Sequence, residues 1–374
     1  MRKKICIFGH YGVPNWGDEA ILSGILSQID ISKFSITVIS NDTEFIKKQH
    51  NIKSVSPPPF GVRSFFSFNW IQTLKAIKEA DYIIIGGGGL WQPRPLKAIK
   101  LWNFYLQTCL FFKKSNAKIF SLGTSFSVFS EQSAEYNTHE YKKLIKKTAQ
   151  LLQKIKFFTV RDKQSKTVLT DIYNIHEAKI SITTDAAFFL EPEKTNITKE
   201  KIVLFAMREG DITFEQEKII ITALKKQFKK YTFKFLVMQS HQSHDEKFVE
   251  RHKKLFKKIT IIYPKSTKAL LAEISSATFV CSSRLHANIL ASICNTNFLA
   301  ISCRDKVKNF FSEILYENIL ESKNIKNNKK YITDIHIKIS NITKNNNKNF
   351  NSCNTKFLEI QKKKLQNFFP YILQ

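Results

Sequence analysis

The chain has 374 residues, 43% of them hydrophobic, which is enough for two ordinary domains with buried cores. It lacks the run of about 18 apolar residues that a spanning helix needs. Its six cysteines are scattered without a CxxC pair, so neither a disulfide framework nor a thiolate zinc site is indicated. The formal charge of +28, from 59 Lys and Arg against 31 Asp and Glu, favours an anionic partner: a phosphorylated ligand, nucleic acid or an anionic membrane face. No base-reading or stacking module is readable, so nucleic acid is not expected. Much of the charge is lysine mixed with asparagine and isoleucine, a mixture that compositional bias alone also produces.

In chain order, "MRKKICIFGHYG" reaches a glycine and a histidine after four apolar residues, too few for a signal-peptide h-region. It reads as the first strand of a cytoplasmic protein. "DEAILSGILSQI" follows at helical spacing, then the strand "SITVIS" and a turn-rich insert around "SPPPFGVRS". "WIQTLKAIKEA" is helical, "DYIIIGGGG" is a strand breaking into glycines, and "AKIFSLG" and "FFTVRD" are further strands. "SKTVLTDIY" and "ISITTDAAFF" close this half with a helix and a strand. The pattern restarts after the polar stretch "EPEKTNITKE" with "KIVLFAMRE", and strands and helices alternate as far as "NFLAISC" and "DKVKNFFSEIL". Strands separated by helices imply parallel sheets covered on both faces.

The expected fold is therefore α/β, with two Rossmann-like parallel-sheet domains and a ligand cleft between them. Residues 1–190 form the first domain, 191–200 a linker and 201–320 the second domain. From 321 to 374 the chain becomes a loose, basic Lys/Asn-rich tail. Its amphipathic segment "TKFLEIQKKKLQNFFPYIL" is placed either on the body or on a membrane.

Candidate chemistry gathers where strands end. "GHYGVPNWGDEAIL" carries Asn15, Gly17, Asp18 and Glu19 at a strand-to-helix turn; it has neither dinucleotide-fingerprint nor P-loop spacing. "GGGGLWQP" offers Gly87 and Gly88 for close backbone approach, and Trp91 as a ring that stacks on a sugar. Arg161 in "TVRD", Arg208 in "FAMRE" and Arg284 with His286 in "SSRLH" each follow a strand, and parallel strands bring such ends to one rim. Arg208 and Arg284 suit a ligand with a carboxylate and a phosphate. Backbone donors near Ser283 to Leu285 add a helix start, and His286 suits proton transfer near neutral pH. A polar turn, ion pairs and a carbonyl-bonded helix histidine are the plainer readings of the same residues. "QSHQSHDEKF" holds His241, His244 and Asp245 without a further ligand at metal spacing. It reads as a polar loop capping the next helix through Asp245, with His241 lining the cleft. No metal is assigned. Cys281, Cys294 and Cys303 read as buried fillers.

Taken in order, "GHYGVPNWGDEAIL", "IIIGGGGLWQ", "FFTVRDKQSKTVL", "TTDAAFF", "VLFAMRE", "SSRLHANILA" and "CRDKVKNFF" resemble the motif series of the polysaccharide pyruvyl transferases. The resemblance runs from about Lys4 to Leu320 and leaves out the tail. It implies a GT-B-like arrangement of the two domains. It also implies transfer of pyruvate from phosphoenolpyruvate, the donor substrate, to two hydroxyls of a sugar in a bacterial surface glycan or its precursor. No other cofactor is implied.

On that resemblance Arg208 and Arg284 bind the donor, with Ser283 and Leu285 beside them. His286 is the catalytic histidine, and Asp18 and Glu19 match an acidic pair of less settled role. Asn15, Gly17, Gly87, Gly88, Trp91, Arg161 and His241 fall on the acceptor or cleft side. "LWQPRP" and "SLGTSFSVF" depart from the family pattern, so the acceptor is less defined than the donor. It is a finished glycan, a lipid-linked sugar or a nucleotide-linked sugar. A peripheral place on the inner face of a bacterial membrane is expected from the charge. Two rival classes stay open: a nucleotide-sugar glycosyltransferase and a non-enzymatic binder of anionic glycan or lipid.

Overall fold

The computed structural model describes residues 2–13, 15–60, 70–93, 95–193, 198–240, 244–256, 259–303, 307–308, 310–311, 319–322, 325, 329–344 and 354–373. The insert residues 61–69, His241 and much of the stretch 304–328 lie outside them. The chain divides into two compact units. The first comprises Met1–Val13, Ile21–Phe189 and Gln361–Gln374, and the second Pro14–Ala20 and Leu190–Ile360.

The first unit holds a seven-stranded parallel sheet: β1 (Lys3–Phe8), β2 (Phe34–Ile39), β3 (Lys53–Val55), β4 (Tyr82–Trp91), β5 (Lys118–Phe126), β6 (Phe157–Val160) and β7 (Ile180–Ile182). Their spatial order is β3-β2-β1-β4-β5-β6-β7. Connections run through α1 (Trp16–Ser27), α2 (Thr43–His50), α3 (Ile71–Glu79), α4 (Leu96–Phe112), α5 (His139–Leu152) and α6 (Lys163–Thr167). Strand alternation sorts the apolar residues to the two faces. Cys6 and Phe8 enter one core with Trp91, Trp102, Phe126 and Phe158. Ile5 and Ile7 enter the other with Ile21, Ile84 and Phe120.

The second unit repeats the plan with β8 (Glu200–Ala206), β9 (Thr232–Leu236), β10 (Thr260–Ile262), β11 (Ala277–Ser282), β12 (Asn297–Ser302) and β13 (Ile319–Glu321) in the order β10-β9-β8-β11-β12-β13. Its helices are α7 (Phe214–Gln227), α8 (His244–Phe256), α9 (Thr267–Ser276), α10 (Leu285–Ile293) and α11 (Lys329–Lys344). A capping box between Thr213 and Gln216 starts α7. In each sheet the strand order reverses beside the first strand, next to β4 in one unit and β11 in the other. Crevices outside such strand ends take ligands.

Two expectations change. The strand "DYIIIGGGG" does not break at its glycines, because β4 runs through them to Trp91. The stretch after Glu321 is also not loose where it is described. Ile335, Ile339 and Ile342 of α11 are buried in the second unit's core. Helix α12 (Asn354–Leu373) buries Leu365, Phe368 and Phe369 in the first, with the Phe368 ring 5.0 Å from that of Phe157. Apolar residues at helical spacing stabilise a docked helix despite the lysines between them. Strands β3 and β13, at three residues each, are too short to stand out in the sequence.

Candidate functional site

The site is built on the second unit, at the ends of β8 and β11. After β8 the chain turns through Arg208 and Gly210, whose φ of +80° closes the turn, to Asp211. After β11, Ser282 Oγ donates to Ala206 O at 2.7 Å and accepts from Arg284 N at 2.9 Å. Asn288 Nδ2, one turn into α10, donates to Ser282 O at 3.2 Å and Arg284 O at 3.1 Å. Ser283 Oγ joins the two loops, donating to Asp211 Oδ2 at 2.7 Å and accepting from Arg208 N at 3.3 Å. Arg284 is the N-cap of α10 and makes no side-chain cap bond, so the first N–H groups of that helix keep the donor character of a helix start.

The Arg284 guanidinium is held by a buried carboxylate. Its Nη2 pairs with Asp245 Oδ1, and Asp245 Oδ2 accepts from Met238 N at 3.0 Å and Gln239 N at 3.1 Å. Asp245 thus fixes Arg284 and the end of β9 instead of capping α8. Burial raises its carboxyl above the ordinary value, against the opposing pull of Arg284 and the two backbone donors. Arg284 Nε is buried with no hydrogen-bond partner among the described residues.

The residues from Asn15 to Glu19 belong to the same unit. Trp16 N donates to Met238 O at 2.8 Å, and Asn15 pairs antiparallel with Gln239. Asn15 opens α1: its Oδ1 accepts from Gly17 N at 3.2 Å and its Nδ2 donates to Asp18 Oδ2 at 2.6 Å. Gly17 lies against the His286 ring so closely that a Cβ there would collide with Nδ1, 2.8 Å from Cγ and 3.1 Å from the His286 Cβ. Glu19 is buried and Asp18 half-buried. The structure therefore gathers Asn15, Gly17, Asp18, Glu19, Arg208, Ser283, Arg284, Leu285 and His286 in one unit. Leu285 contributes backbone only, since its side chain is buried.

Gly87, Gly88, Trp91 and Arg161 lie in the first unit, and two of them are corrected. Trp91 has no exposed surface; its ring stacks on Phe126 at 5.3 Å and its Nε1 donates to Asn103, so no sugar reaches it. Arg161 is buried with Nη1 on Asp185 Oδ2 at 2.6 Å and Nε on Ser125 Oγ at 2.5 Å, a structural ion pair. Gly87 has φ +77° and a Cβ there would strike Ile21, so its lack of a side chain admits α1. His241 lies outside the described residues. Asp211 and Asn288 carry the architecture and are not evident from the sequence, whereas Asp245 is evident there only as a helix cap. "REGD" and "RLHAN" held the only hint, a polar residue one short turn beyond an arginine. Cys281 and Cys294 are buried, as read; Cys303 is half-buried. No group of metal-ligating residues occurs among the described residues.

The fold is shared with solved structures of low sequence identity. A UDP-GlcNAc 2-epimerase from Neisseria meningitidis, bound to UDP-GlcNAc, aligns with TM-score 0.61, 13% identity and 99% coverage of each chain. A putative UDP-N-acetylglucosamine 2-epimerase from Listeria monocytogenes gives 0.60, 12%, and 95% and 92%. A glycosyltransferase from Rickettsia africae gives 0.53, 15%, and 100% and 99%. These neighbours are GT-B-like, as the family resemblance implied for this chain. No curated protein matches the sequence. The family model of the polysaccharide pyruvyl transferases matches residues 15–305, from the first residue of the Asn15 turn to just beyond β12. The chain therefore belongs to the polysaccharide pyruvyl transferase family and is an enzyme of that kind.

Proposed function

We propose that this enzyme transfers pyruvate from phosphoenolpyruvate to two hydroxyls of a sugar in a bacterial surface glycan or its precursor, forming a cyclic ketal and releasing phosphate. The observation that carries the reading is the His286 ring seated on Gly17, which sets the Asn15–Glu19 turn beside the arginines of the β8 and β11 ends. Arg208 and Arg284 offset the donor's carboxylate and phosphate, assisted by the backbone N–H groups at the start of α10. The side-chain Nε of Arg284, buried and without a hydrogen-bond partner among the described residues, is a further N–H that such an anion would satisfy. His286 passes a proton to the methylene carbon, which becomes a methyl group, while a sugar oxygen bonds to the central carbon. The second hydroxyl then displaces phosphate; of the two hydroxyl protons, one restores His286 and the other leaves with phosphate. Asp18 or Glu19 assists the acceptor.

The Neisseria neighbour's bound UDP-GlcNAc favours one second reading, a nucleotide-sugar ligand at this site. Calorimetry separates the two. Phosphoenolpyruvate should bind, and Arg208→Ala or Arg284→Ala should weaken it. Unchanged affinity in both variants, or binding of UDP-sugar alone, would refute the donor assignment. The net charge of +28 supports a peripheral place on an anionic membrane face. Among the described residues no helix is long and apolar enough to cross a membrane.

A further inference from the structure

Helix α4 ends in the sequence "LFFKKSN", and its last two residues point outward. Phe111 is 79% exposed, the most exposed large apolar side chain among the described residues, and Phe112 is 38% exposed. Their rings meet edge to face at 4.9 Å, forming one apolar knob. Water is a poor environment for two adjacent phenyl rings, and nothing in the fold requires them there.

The knob stands at the edge of the first unit where strands β4 to β7 begin. Backbone bonds define that edge: Lys118 N donates to Asp81 O at 3.1 Å, and Lys156 N to Ile119 O at 2.8 Å. The edge is cationic. Between Asp81 and Glu131 the chain has no carboxylate side chain. Beside β4 and β5 the acidic residues are matched, Asp81 by Lys114 at 2.7 Å and Glu79 by Lys4 at 2.7 Å; before β7, Glu177 pairs with Lys166 and Asp171 is exposed. Lys118, Lys154 and Lys156 are exposed, with no ion-pair partner among the described residues. The C-terminal amphipathic helix is not a competing surface here, because Leu365, Phe368 and Phe369 of α12 are buried in the first unit's core.

We propose that this edge is a docking surface for an anionic phospholipid bilayer: Phe111 and Phe112 enter the interfacial layer, and Lys118, Lys154 and Lys156 lie against the headgroups. Apolar rings flanked by lysines match an interface whose outer layer is negative and whose inner layer is apolar. A protein partner of ordinary composition would meet the rings but leave three lysines unmatched. The inference is independent of the pyruvyl transfer reading. It deepens only the peripheral location, by replacing an unspecified basic surface with named residues.

Vesicle co-sedimentation of the full chain tests it. Binding is expected to phosphatidylcholine vesicles containing phosphatidylglycerol, to weaken with salt, and to be negligible on phosphatidylcholine alone. Combining Lys118→Gln, Lys154→Gln and Lys156→Gln should reduce partitioning on the order of 100-fold, at about fivefold per lysine. Combining Phe111→Ser with Phe112→Ser should cost about tenfold or more. All five residues are at the surface, and unchanged circular dichroism and melting confirm that the variants fold. In a Phe111→Trp variant, which keeps the apolar knob, the added fluorescence should shift blue and be quenched by brominated lipid. Equal binding to neutral and anionic vesicles, wild-type partitioning in both combined variants, or an unquenched Trp at 111 would each overturn the proposal. Loss of phosphoenolpyruvate binding would leave these outcomes unaffected, so failure of one reading is distinguishable from failure of the other.

Discussion

Gly17→Ala isolates the contact on which the catalytic reading depends. The added Cβ would lie 2.8 Å from His286 Cγ and 3.1 Å from its Cβ, nearer still to Nδ1. Carbon atoms rest at about 3.5–4.0 Å, so the imidazole must move by about 1 Å or rotate away. Gly17 is the second residue of α1, where alanine is a better helix former by up to about 1 kcal/mol. Little global destabilisation is therefore expected from the backbone. A misplacement of about 1 Å at a reacting group costs on the order of 100-fold in rate. Phosphate release from phosphoenolpyruvate with acceptor present should fall by that factor at saturating donor. The melting temperature and donor affinity should change little, because Arg208 and Arg284 are not touched. Near-normal turnover in a folded Gly17→Ala protein would show that the position of the His286 ring does not matter to the chemistry.

His286→Asn should keep the fold and most donor affinity yet lose at least about 100-fold in turnover, read in the same assay; a large affinity loss at unchanged saturated rate would make His286 a binding residue. Asp245→Asn should weaken phosphoenolpyruvate binding in calorimetry, because Arg284 loses the carboxylate that orients it. It also carries a pH signature. The Asp245 carboxyl is raised above its ordinary 3.8, so its protonated form contributes stability that is complete below that value and lost as pH rises through the raised folded value. Denaturant melts should then show the variant's deficit shrinking from about pH 4 toward neutrality, and a constant deficit would contradict the shift. Trp91→Ala should cost about 3–5 kcal/mol of stability by opening a cavity against Phe126, with the acceptor KM of the folded protein unchanged. A stable variant with a raised acceptor KM would restore Trp91 as a sugar platform.

Much of this protein was legible from order along the chain. Apolar runs such as "KICIF", "YIII" and "ATFV" separated by helical spacing require parallel strands with both faces covered, because a crossover helix must lie on each face. Arg208, Arg284 and His286 stood out for the same reason: in such sheets, strand ends carry ligands. The resemblance also relied on short, ordered motifs; five of the seven fall within the residues matched by the family model, 15–305, while "GHYGVPNWGDEAIL" and "CRDKVKNFF" straddle its two ends.

Tertiary structure alone decided which of those polar residues work together and which are spent on folding. Arg161 and Arg284 look alike in sequence, each an arginine just past a strand. Arg161 meets Asp185 in a site that excludes water, whereas Arg284 keeps a buried Nε without a partner among the described residues while Asp245 holds its other end. Trp91 follows four glycines as a ligand-stacking ring would, yet Phe126 and Asn103 enclose it. Glycine spacing permits a close approach but does not say what approaches: His286 at Gly17, Ile21 at Gly87. Local sequence determines backbone propensity and the spacing of side chains. Partners brought from tens or hundreds of residues away determine which charges are neutralised, which rings are buried, and hence where chemistry is left to occur.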